Sequence, residues 1–552
     1  MTHSMITDEV PVLVVGGSLV GLSTALFLAR QGVEVLAVER HPGTAIHPRA
    51  GHLHLRTLEL MRSVGLEEPL ERLSAERFFP NGGVNEVRTL AEGEIAAFIA
   101  NLNQGVAEFS PSRRMFVAQD ALEPLLRERA EALGATLRYN AEVVSLEQDD
   151  AGVTALIRDG ATGAINRVRS RYVVAADGNR SPIRGRLGIG MRGYGQLSRS
   201  ATIYFRADCS QFLAGTELGV VYVTNPDLRG FFRFERTGTS GFLVVNTLGD
   251  PAVPGHLDVT RELTTERATR IVRAAIGVPD YPVQVDDVAD WVATAERADR
   301  YQAGRIFLAG DAAHVVPPNG GFGGNTGIQD AHNLAWKLAL VVRGTAGEGL
   351  LESYDAERRP VGELTIDQAY SRWLHRVTPE LKPEVFPELV DELSMEIGYR
   401  YHSRAILPDP DAADDDVLVG HPGKALGQPG TRAPHVELAP GRSTLDLFGT
   451  GFVLLTGDRG RPWEEAAVMT ARAGFPVTAP LAGLPVAAPL AGLPVTAPLT
   501  GRQSDEIAAA YGIGPGGAAL VRPDGFIGWR TTGAVPDPTA ELSRALTGLL
   551  AR

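Results

Sequence analysis

The sequence predicts an α/β protein built around a sheet of parallel strands, and three observations support this fold class. A buried strand, a glycine-rich turn, a helix and a second strand follow one another within residues 12–38. A similar order of strand, glycine-rich loop and helix recurs at residues 305–342. Between the two, residues 195–292 contain short alternating runs of polar and apolar residues, which are typical of an antiparallel sheet.

The composition is that of a globular protein without an affinity for nucleic acid or anionic membranes. The chain has 552 residues, of which 44% are hydrophobic and 22% charged, and its net charge is −13. This acidic balance lacks the clustered basic residues that bind phosphate backbones or anionic lipids. No apolar run reaches the about 18 residues that a membrane helix needs, and the N-terminus has no signal-peptide pattern. We therefore expect a cytoplasmic protein with neither a nucleic-acid nor a membrane partner, which could form a homo-oligomer.

Cysteine and histidine usage argues against disulfides and metal sites. Cys209 is the only cysteine, so intrachain disulfides, redox-active cysteine pairs and thiolate zinc clusters are excluded. His52 and His54 form an H-x-H pair, but no third ligand lies near them in the sequence. Such a pair is more often structural than metal-binding, and we expect no metal.

The first motif is the glycine-rich turn Gly16-Gly17-Ser18-Leu19-Val20-Gly21. Its glycines let the backbone approach a pyrophosphate at the N-terminus of a helix. Glu39 follows Gly21 by 18 residues and ends the second strand, where a carboxylate binds ribose hydroxyls. Ser18 replaces the usual second glycine of G-x-G-x-x-G and is small enough to leave room. The motif predicts dinucleotide binding, and the alternative is a glycine-rich turn followed by an acidic residue through chance.

The second motif ends the strand near residue 309 and opens the next helix. It consists of Gly310-Asp-Ala-Ala-His314 and Pro317-Pro-Asn-Gly-Gly-Phe-Gly-Gly-Asn325. Asp311 ends the strand, where its carboxylate can accept hydrogen bonds from hydroxyl groups. The glycines of residues 320–324 let backbone N–H groups approach a phosphate or a ring oxygen. Two such elements, far apart in the sequence, predict one long ligand that is held at both ends.

Together these motifs identify a family resemblance. Residues 16–21 with Glu39, Ala175-Ala-Asp-Gly-Asn-Arg-Ser181 and residues 310–314 resemble the three fingerprints of single-component flavoprotein aromatic hydroxylases, the p-hydroxybenzoate hydroxylase-like family. The likeness covers residues 8–400 in order. The later segment, with Val521-Arg-Pro-Asp-Gly525, is similar to the thioredoxin-like C-terminal domain of the larger members, which include polyketide hydroxylases.

The resemblance implies an α/β protein with three domains. A Rossmann-like FAD-binding domain would take residues 1–194 and 293–400, and an antiparallel-sheet substrate domain residues 195–292. Residues 401–552 would form the thioredoxin-like domain. Since it contains no cysteine, it cannot exchange disulfides, and we expect a structural or oligomerising role.

Within the last domain, the sequence predicts strands at residues 444–447, 452–456 and 518–522. A proline-rich repeat of nine residues occupies positions 476–500, where frequent prolines exclude a helix and most central strands. We expect an inserted and extended surface loop.

The resemblance also implies the residues that contact the cofactors. They are Gly16, Gly17, Ser18, Leu19, Val20, Gly21, Glu39, Arg40, Arg49, Gln119, Val143, Asp177, Gly178, Asp311, Pro318, Gly323, Gly324 and Asn325. Glu39 would hold the adenosine ribose, while Arg49, Gln119 and Asp311 would lie along the ribityl–pyrophosphate portion.

Pro318 and residues 323–325 would face the isoalloxazine, and residues 177–178 would serve both FAD and the nicotinamide cofactor. Other roles stay open for some of these residues: a strand-end turn for residues 177–178, a surface salt bridge for Arg49, and local hydrogen bonds at a helix start for Gln119.

The function implied by the resemblance is that of an FAD-dependent monooxygenase that uses NAD(P)H, more often NADPH, and O2. It would hydroxylate a phenolic substrate, such as a polyketide or another secondary metabolite, through a flavin C4a-hydroperoxide. The flavin carries this chemistry, so we expect no catalytic triad. Tyr222 and Arg376 occupy positions similar to substrate-pocket positions of polyketide hydroxylases, and the alternatives are a buried tyrosine and a solvated arginine. A Baeyer–Villiger or epoxidising monooxygenase and a non-catalytic FAD-containing protein remain alternatives.

Overall fold

The structure is a computed structural model, and it describes residues 7–46, 51–214, 217–226, 228–247, 258–379, 382–409, 417–479 and 501–552. The strands, in chain order, are β1 (Thr7–Val15), β2 (Val35–Val38), β3 (His52–Leu53), β4 (Gly83–Val87), β5 (Glu94–Ile99), β6 (Met115–Phe116), β7 (Thr136–Arg138), β8 (Ala141–Gln148), β9 (Val153–Asp159), β10 (Ile165–Ala175), β11 (Met191–Arg206), β12 (Leu218–Asn225), β13 (Leu228–Phe234), β14 (Ser240–Asn246), β15 (Gln284–Ala298), β16 (Gln302–Ala303), β17 (Ile306–Leu308), β18 (His314–Val315), β19 (Glu437–Ala439), β20 (Arg442–Ser443), β21 (Phe452–Thr456), β22 (Val477–Thr478), β23 (Ala518–Val521) and β24 (Ile527–Thr531).

The helices, in chain order, are α1 (Leu19–Arg30), α2 (Leu55–Ser63), α3 (Glu67–Arg77), α4 (Gln119–Ala132), α5 (Pro182–Arg186), α6 (Ser210–Leu213), α7 (Thr265–Ile276), α8 (Phe322–Val342), α9 (Glu352–Arg376), α10 (Glu392–Ile397), α11 (Arg461–Arg472), α12 (Gly501–Ala510) and α13 (Pro538–Leu549). Short 3-10 turns are formed by Gly310–Ala312, Glu348–Leu351, Pro422–Lys424 and Thr444–Leu447.

The first sheet carries the two glycine-rich motifs. Its strand order is β16-β17-β10-β1-β2-β7, with β9 and β8 continuing from β10. Strands β17, β10, β1, β2 and β7 run parallel to their neighbours. Residues 12–15 are buried because the sheet is covered on both faces, as expected for a continuous apolar run. The predicted Rossmann-like parallel sheet is confirmed.

The second sheet has the order β18-β15-β11-β14-β13-β12-β4-β5. Its pairs are antiparallel except for β12 with β4, which is parallel. Helix α7 packs against one face through the buried residues Ala268, Val272 and Ile276. Strands β4, β5 and β18 lie outside residues 195–292, so the sheet is wider than the sequence predicted.

The C-terminal segment contains a four-stranded sheet in the order β22-β21-β23-β24. Strands β21 and β22 are parallel and the other pairs antiparallel, which is the strand order of a thioredoxin core. The predicted strand at residues 444–447 is wrong: a 3-10 turn forms there, because Ser443 and Asp446 build a capping box. Two residues of the repeat, Val477 and Thr478, pair with β21 rather than lying in a loop, and residues 480–500 of the repeat lie outside the described residues.

The described parts of the chain contain neither a candidate membrane span nor a candidate metal site. None of their helices is both long and apolar enough to cross a bilayer. In the same residues, no group of three or more His, Cys, Asp or Glu side chains could hold a metal ion. His52 and His54 instead contact each other, with ring centroids 4.8 Å apart.

Candidate cofactor and substrate site

The three sequence motifs follow the carboxyl ends of neighbouring parallel strands. Val15 of β1 pairs with Ala175 of β10, and Ala175 pairs with Leu308 of β17. Residues 16–21, 177–181 and 310–314 therefore leave the sheet at one edge. In open α/β sheets, this edge is where nucleotides bind.

Close backbone contacts lock the motifs together and explain their glycines. Gly16 has a φ of +113°, and a β-carbon there would lie 2.1 Å from the Ala176 carbonyl oxygen. A β-carbon at Gly21 would lie 1.8 Å from the Gly16 carbonyl oxygen, and one at Gly310 would lie 2.6 Å from Cγ2 of Val20. Because these distances exclude any side chain, the motifs form one compact cradle.

Glu39 organises one end of this cradle. Its Oε2 accepts a hydrogen bond from the Gly17 amide at 2.7 Å, and its Oε1 accepts one from the His41 amide at 2.9 Å. The Ala141 amide donates to the Glu39 carbonyl at 2.8 Å, which places Val143 on the adjacent strand. Arg40 is exposed. The predicted group of Glu39, Arg40 and Val143 is thus brought to one place.

Glu123 is a site residue that the sequence reasoning missed. Its Oε1 accepts hydrogen bonds from the Leu19 amide at 2.9 Å and from Ser18 Oγ at 2.5 Å, and its Oε2 accepts one from the Ala45 amide at 2.6 Å. Gln119 donates to the same Oε1 at 2.7 Å from the first turn of α4. The available signal was a glutamate four residues after Gln119, which lies on the same face of a helix.

Asp311 and Pro318 lie at the other end of the cradle, and both are exposed there. Although solvent reaches the Asp311 carboxylate, the surrounding protein desolvates it and raises its pKa. His314 is buried, as expected of a loop-packing residue, and its Nε2 lies 2.6 Å from Asp330. Asp330 also accepts a hydrogen bond from Arg358 at 2.8 Å. This buried network fixes the loop without using Asp311.

Asp177 and Asn325 are held by protein groups. Asp177 accepts hydrogen bonds from Ser181 Oγ at 2.5 Å and from the Ile183 amide at 3.1 Å, so it supports the N-cap residue Ser181 and the first turn of α5. Burial nevertheless raises the pKa of Asp177. Asn325 donates to the carbonyl oxygens of His52 and Gly321, both at 2.7 Å.

Residues 323–325 lie in the first turn of α8, whereas the sequence predicted a turn before the helix. Gly178 has a φ of +86°, in the left-handed region that favours glycine. Arg49 lies outside the described residues.

Tyr222 and Arg376 meet on the open face of the second sheet. The Arg376 guanidinium carbon lies 5.5 Å from the Tyr222 ring centroid and 5.1 Å from that of Phe98. Asn319, which precedes the glycine run, donates to the Tyr222 hydroxyl at 3.3 Å. The predicted pair is therefore brought together beside the second glycine-rich loop, with Tyr222 buried and Arg376 stacked on rings.

The residues fit a long dinucleotide such as FAD. Glycines let the motifs pack closely into one cradle, because a β-carbon at Gly16, Gly21 or Gly310 would collide with neighbouring atoms of the protein. An acidic side chain, Asp311, stands in the same cleft without a hydrogen-bond partner among the described residues. The backbone amides of residues 16–21, at one end of the cradle, suit a phosphate group. The Asp311 carboxylate, at the other end, suits the hydroxyl groups of a polyhydroxyl chain.

Comparison with known proteins gives full-length matches. The FAD binding domain family matches residues 9–369, and the aromatic-ring hydroxylase C-terminal family matches residues 427–552. The chain is 62% identical over 549 residues to a 4-methyl-5-nitrocatechol 5-monooxygenase of Burkholderia sp., covering 99% of this chain and 98% of that protein. It is 41% identical over 563 residues to a tetracenomycin B2 monooxygenase-dioxygenase of Streptomyces olivaceus, covering 99% of each.

A solved structure is similar over the same length. The crystal structure of aklavinone-11 hydroxylase in a ternary complex with FAD and aklavinone matches with a TM-score of 0.88 and 35% identity. The match covers 99% of this chain and 100% of that one.

Proposed function

The chain belongs to the family of FAD-binding aromatic-ring hydroxylases and is an FAD-dependent aromatic monooxygenase, and we propose that its substrate is a small catechol that carries a nitro group. The predictions of FAD, of O2 as co-substrate and of an enzymatic function are confirmed. The observation that carries the proposed substrate is the 62% identity, over nearly the whole of both chains, to a nitrocatechol monooxygenase. Identity to the tetracenomycin enzyme is 41%.

The proposed reaction balances without a further reductant. One atom of O2 joins the ring carbon that bears the nitro group, and the other leaves as water with two electrons from NAD(P)H. The nitro group departs as nitrite, the proton lost from a ring hydroxyl joins the hydride of NAD(P)H in the water that forms, and the ring becomes a quinone. When bound, FAD supplies the transfer of the oxygen atom to the ring. We propose NADPH as the reductant and the cytoplasm as the location.

The described residues suit this cofactor in specific places. We place the pyrophosphate at residues 16–21 and Gln119, the adenosine ribose at Glu39, and the ribityl chain at Asp311. Pro318 and the start of α8 would lie beside the isoalloxazine. Residues 177–178 would contact the nicotinamide cofactor.

We place the substrate ring beside Tyr222, Phe98 and Arg376. A nitro group lowers the pKa of a hydroxyl group to which it is conjugated, so the substrate is largely anionic near neutral pH. The Arg376 guanidinium, held 5.1 Å from the Phe98 ring, favours an anionic ring in this space. Asn319 fixes the Tyr222 hydroxyl at 3.3 Å and leaves it able to donate to a ring oxygen.

The test is substrate-stimulated NAD(P)H oxidation by the purified holoenzyme. The compounds are 4-methyl-5-nitrocatechol, 4-methylcatechol and a polycyclic phenol such as aklavinone, with product mass and nitrite measured in each case. We expect nitrite equal to the NADPH consumed with the nitrocatechol. Coupled turnover of the polycyclic phenol alone would replace this proposal with polyketide hydroxylation, and a lactone or epoxide product would identify the other oxygenation chemistries.

A further inference from the structure

Arg233 is a buried cation with no role in the cofactor and substrate sites proposed for this chain. It lies on β13 and lines a cavity of about 430 Å³ on the open face of the second sheet. Tyr204, Phe242 and Phe78 line the same cavity, and so do the acidic residues Glu235, Asp286 and Asp287. Only 6% of Arg233 is exposed. A charged group in such a position normally has a counter-charge.

Among the described residues, Arg233 has no such partner. Its Nη2 is buried without a hydrogen bond to any of them, and no described carboxylate forms an ion pair with it. The guanidinium carbon instead lies between two rings, 4.4 Å from the Phe78 centroid and 4.5 Å from the Phe116 centroid. Burial, with the nearby charge of Arg77, lowers the pKa of Arg233 to about 9, so it remains a cation at neutral pH. Its neighbour Arg77 differs, since Asp120 and Glu235 neutralise it.

A second unpartnered polar atom lies beside it. Nε2 of His52 is buried without a hydrogen bond to any described residue, and the ring lies 5.1 Å from the Phe116 ring. Burial, followed by the charges of His54, Arg114 and Arg233, holds the pKa of His52 well below its usual range, so the ring is neutral. A neutral imidazole can donate one hydrogen bond.

Gly51, the residue before His52, leaves space for the Arg233 guanidinium because it has no side chain. A β-carbon at Gly51 would lie 2.1 Å from Nη1 of Arg233. Phe116, whose ring the Arg233 guanidinium contacts, packs in the same buried cluster as Tyr222, so this cluster connects Arg233 with the proposed substrate residues. An aromatic ligand on this face therefore has one arginine near Tyr222 and another near Phe116.

We propose that Arg233, with His52 beside it, binds the nitro group of the substrate and stabilises the nitrite that leaves. The inference rests on the proposed function, because the ligand is its nitrocatechol. Nitro and nitrite oxygens are planar acceptors, which a guanidinium fork binds with two hydrogen bonds. Negative charge moves onto these oxygens as the carbon–nitrogen bond breaks, so the buried cation stabilises the departing group more than the bound nitro compound.

The experiment compares ligand binding to oxidised holoenzyme variants by perturbation of the flavin absorption. Arg233→Gln should raise the Kd for 4-methyl-5-nitrocatechol about 10- to 100-fold, while the Kd for 4-methylcatechol stays unchanged. Arg192→Gln is the matched control, because Arg192 is an exposed arginine on the same sheet that pairs with Asp299, outside the cavity lining. Arg233→Lys should restore part of the discrimination. Equal weakening for both catechols, or none, would overturn the proposal.

Two further measurements separate this site from a structural or a flavin-binding arginine. Arg233→Met should raise the Tm of the protein without aromatic ligand, because it removes an unpaired buried cation; a lower Tm would identify a structural residue and contradict the proposal. A shift of the FAD midpoint potential in Arg233→Gln, without loss of nitro discrimination, would assign the guanidinium to the flavin instead. Nitrite release by the wild-type enzyme tests the proposed function separately.

Discussion

Arg522, on the C-terminal domain, donates from Nη1 and Nη2 to both carboxylate oxygens of Glu357 on α9, at 2.6 and 2.8 Å. Both side chains are fully buried, and Lys337 of α8 contacts the same carboxylate at 2.8 Å. Burial alone would raise the pKa of Glu357, but Arg522 and Lys337 hold it below its usual range. This ion pair joins the C-terminal domain to the helix that ends at Arg376.

Glu357→Gln should destabilise the protein by about 3–5 kcal/mol, because it leaves buried Lys337 without its counter-charge and buried Arg522 with Asp524 alone. Denaturant unfolding with separate signals for FAD fluorescence and far-UV circular dichroism measures the change. The matched control is Arg404→Gln, which removes an exposed ion pair with Glu352 and should cost at most about 1 kcal/mol. Equal costs for the two variants would show that the buried pair does not connect the domains.

His332 makes the protein sensitive to acid. Burial, and then the charge of Arg56, lowers the pKa of His332 from 6.5 to about 3. As the pH falls, the unfolded state therefore binds this proton before the folded state does, and stability is lost between about pH 6.5 and 3. Relative to pH 7, wild type should lose about 2 kcal/mol more at pH 5 than His332→Leu. Urea unfolding at both pH values checks this, and parallel pH profiles would contradict it.

Asp311→Ala should weaken FAD binding about 10- to 100-fold, since charged acceptors of hydrogen bonds contribute about 1.5–3 kcal/mol. FAD release on dilution, followed by fluorescence, measures the affinity. Asp150→Ala, an exposed aspartate in the same domain, is the control and should keep its FAD. Full FAD retention by the Asp311 variant would remove the proposed ribityl contact.

Arg376→Gln should raise the KM for the nitrocatechol about 2- to 30-fold, the range of a cation–π contribution of about 0.5–2 kcal/mol. FAD content should not change, because the guanidinium contacts Phe98 and Tyr222 rather than the glycine-rich cradle. Arg236→Gln is the control, because this exposed arginine makes the same kind of contact with another ring, 5.8 Å from the Phe79 centroid. An unchanged KM for the Arg376 variant would place the substrate elsewhere.

Predictions from the sequence succeeded where a local pattern fixes a local conformation. Residues 12–15 are an apolar run that only a covered sheet can bury, and they form a strand between two parallel neighbours. The pattern at residues 444–447 was ambiguous, because four residues of mixed polarity suit a strand or a turn. There the cap formed by Ser443 decided the outcome.

Strands β4 and β5 were missed for another reason. Gly83–Val87 pairs with Leu218–Asn225, more than a hundred residues later, and no periodicity within either strand indicates that partner. The sequence also gave no sign that Val477 would extend the last sheet, since its prolines favour a loop.

By itself, the sequence determined the nucleotide-binding motifs, because Gly16, Gly21 and Gly310 are backbone requirements that any side chain would violate. Only the tertiary structure decided which charges have partners. In the sequence, nothing distinguishes Glu123 and Arg233 from other charged residues of a helix or a strand. The fold brings Glu123 to the amide of Leu19, and it brings Arg233 between two aromatic rings. Burial and counter-charge depend on contacts between distant segments, so the local sequence cannot encode them.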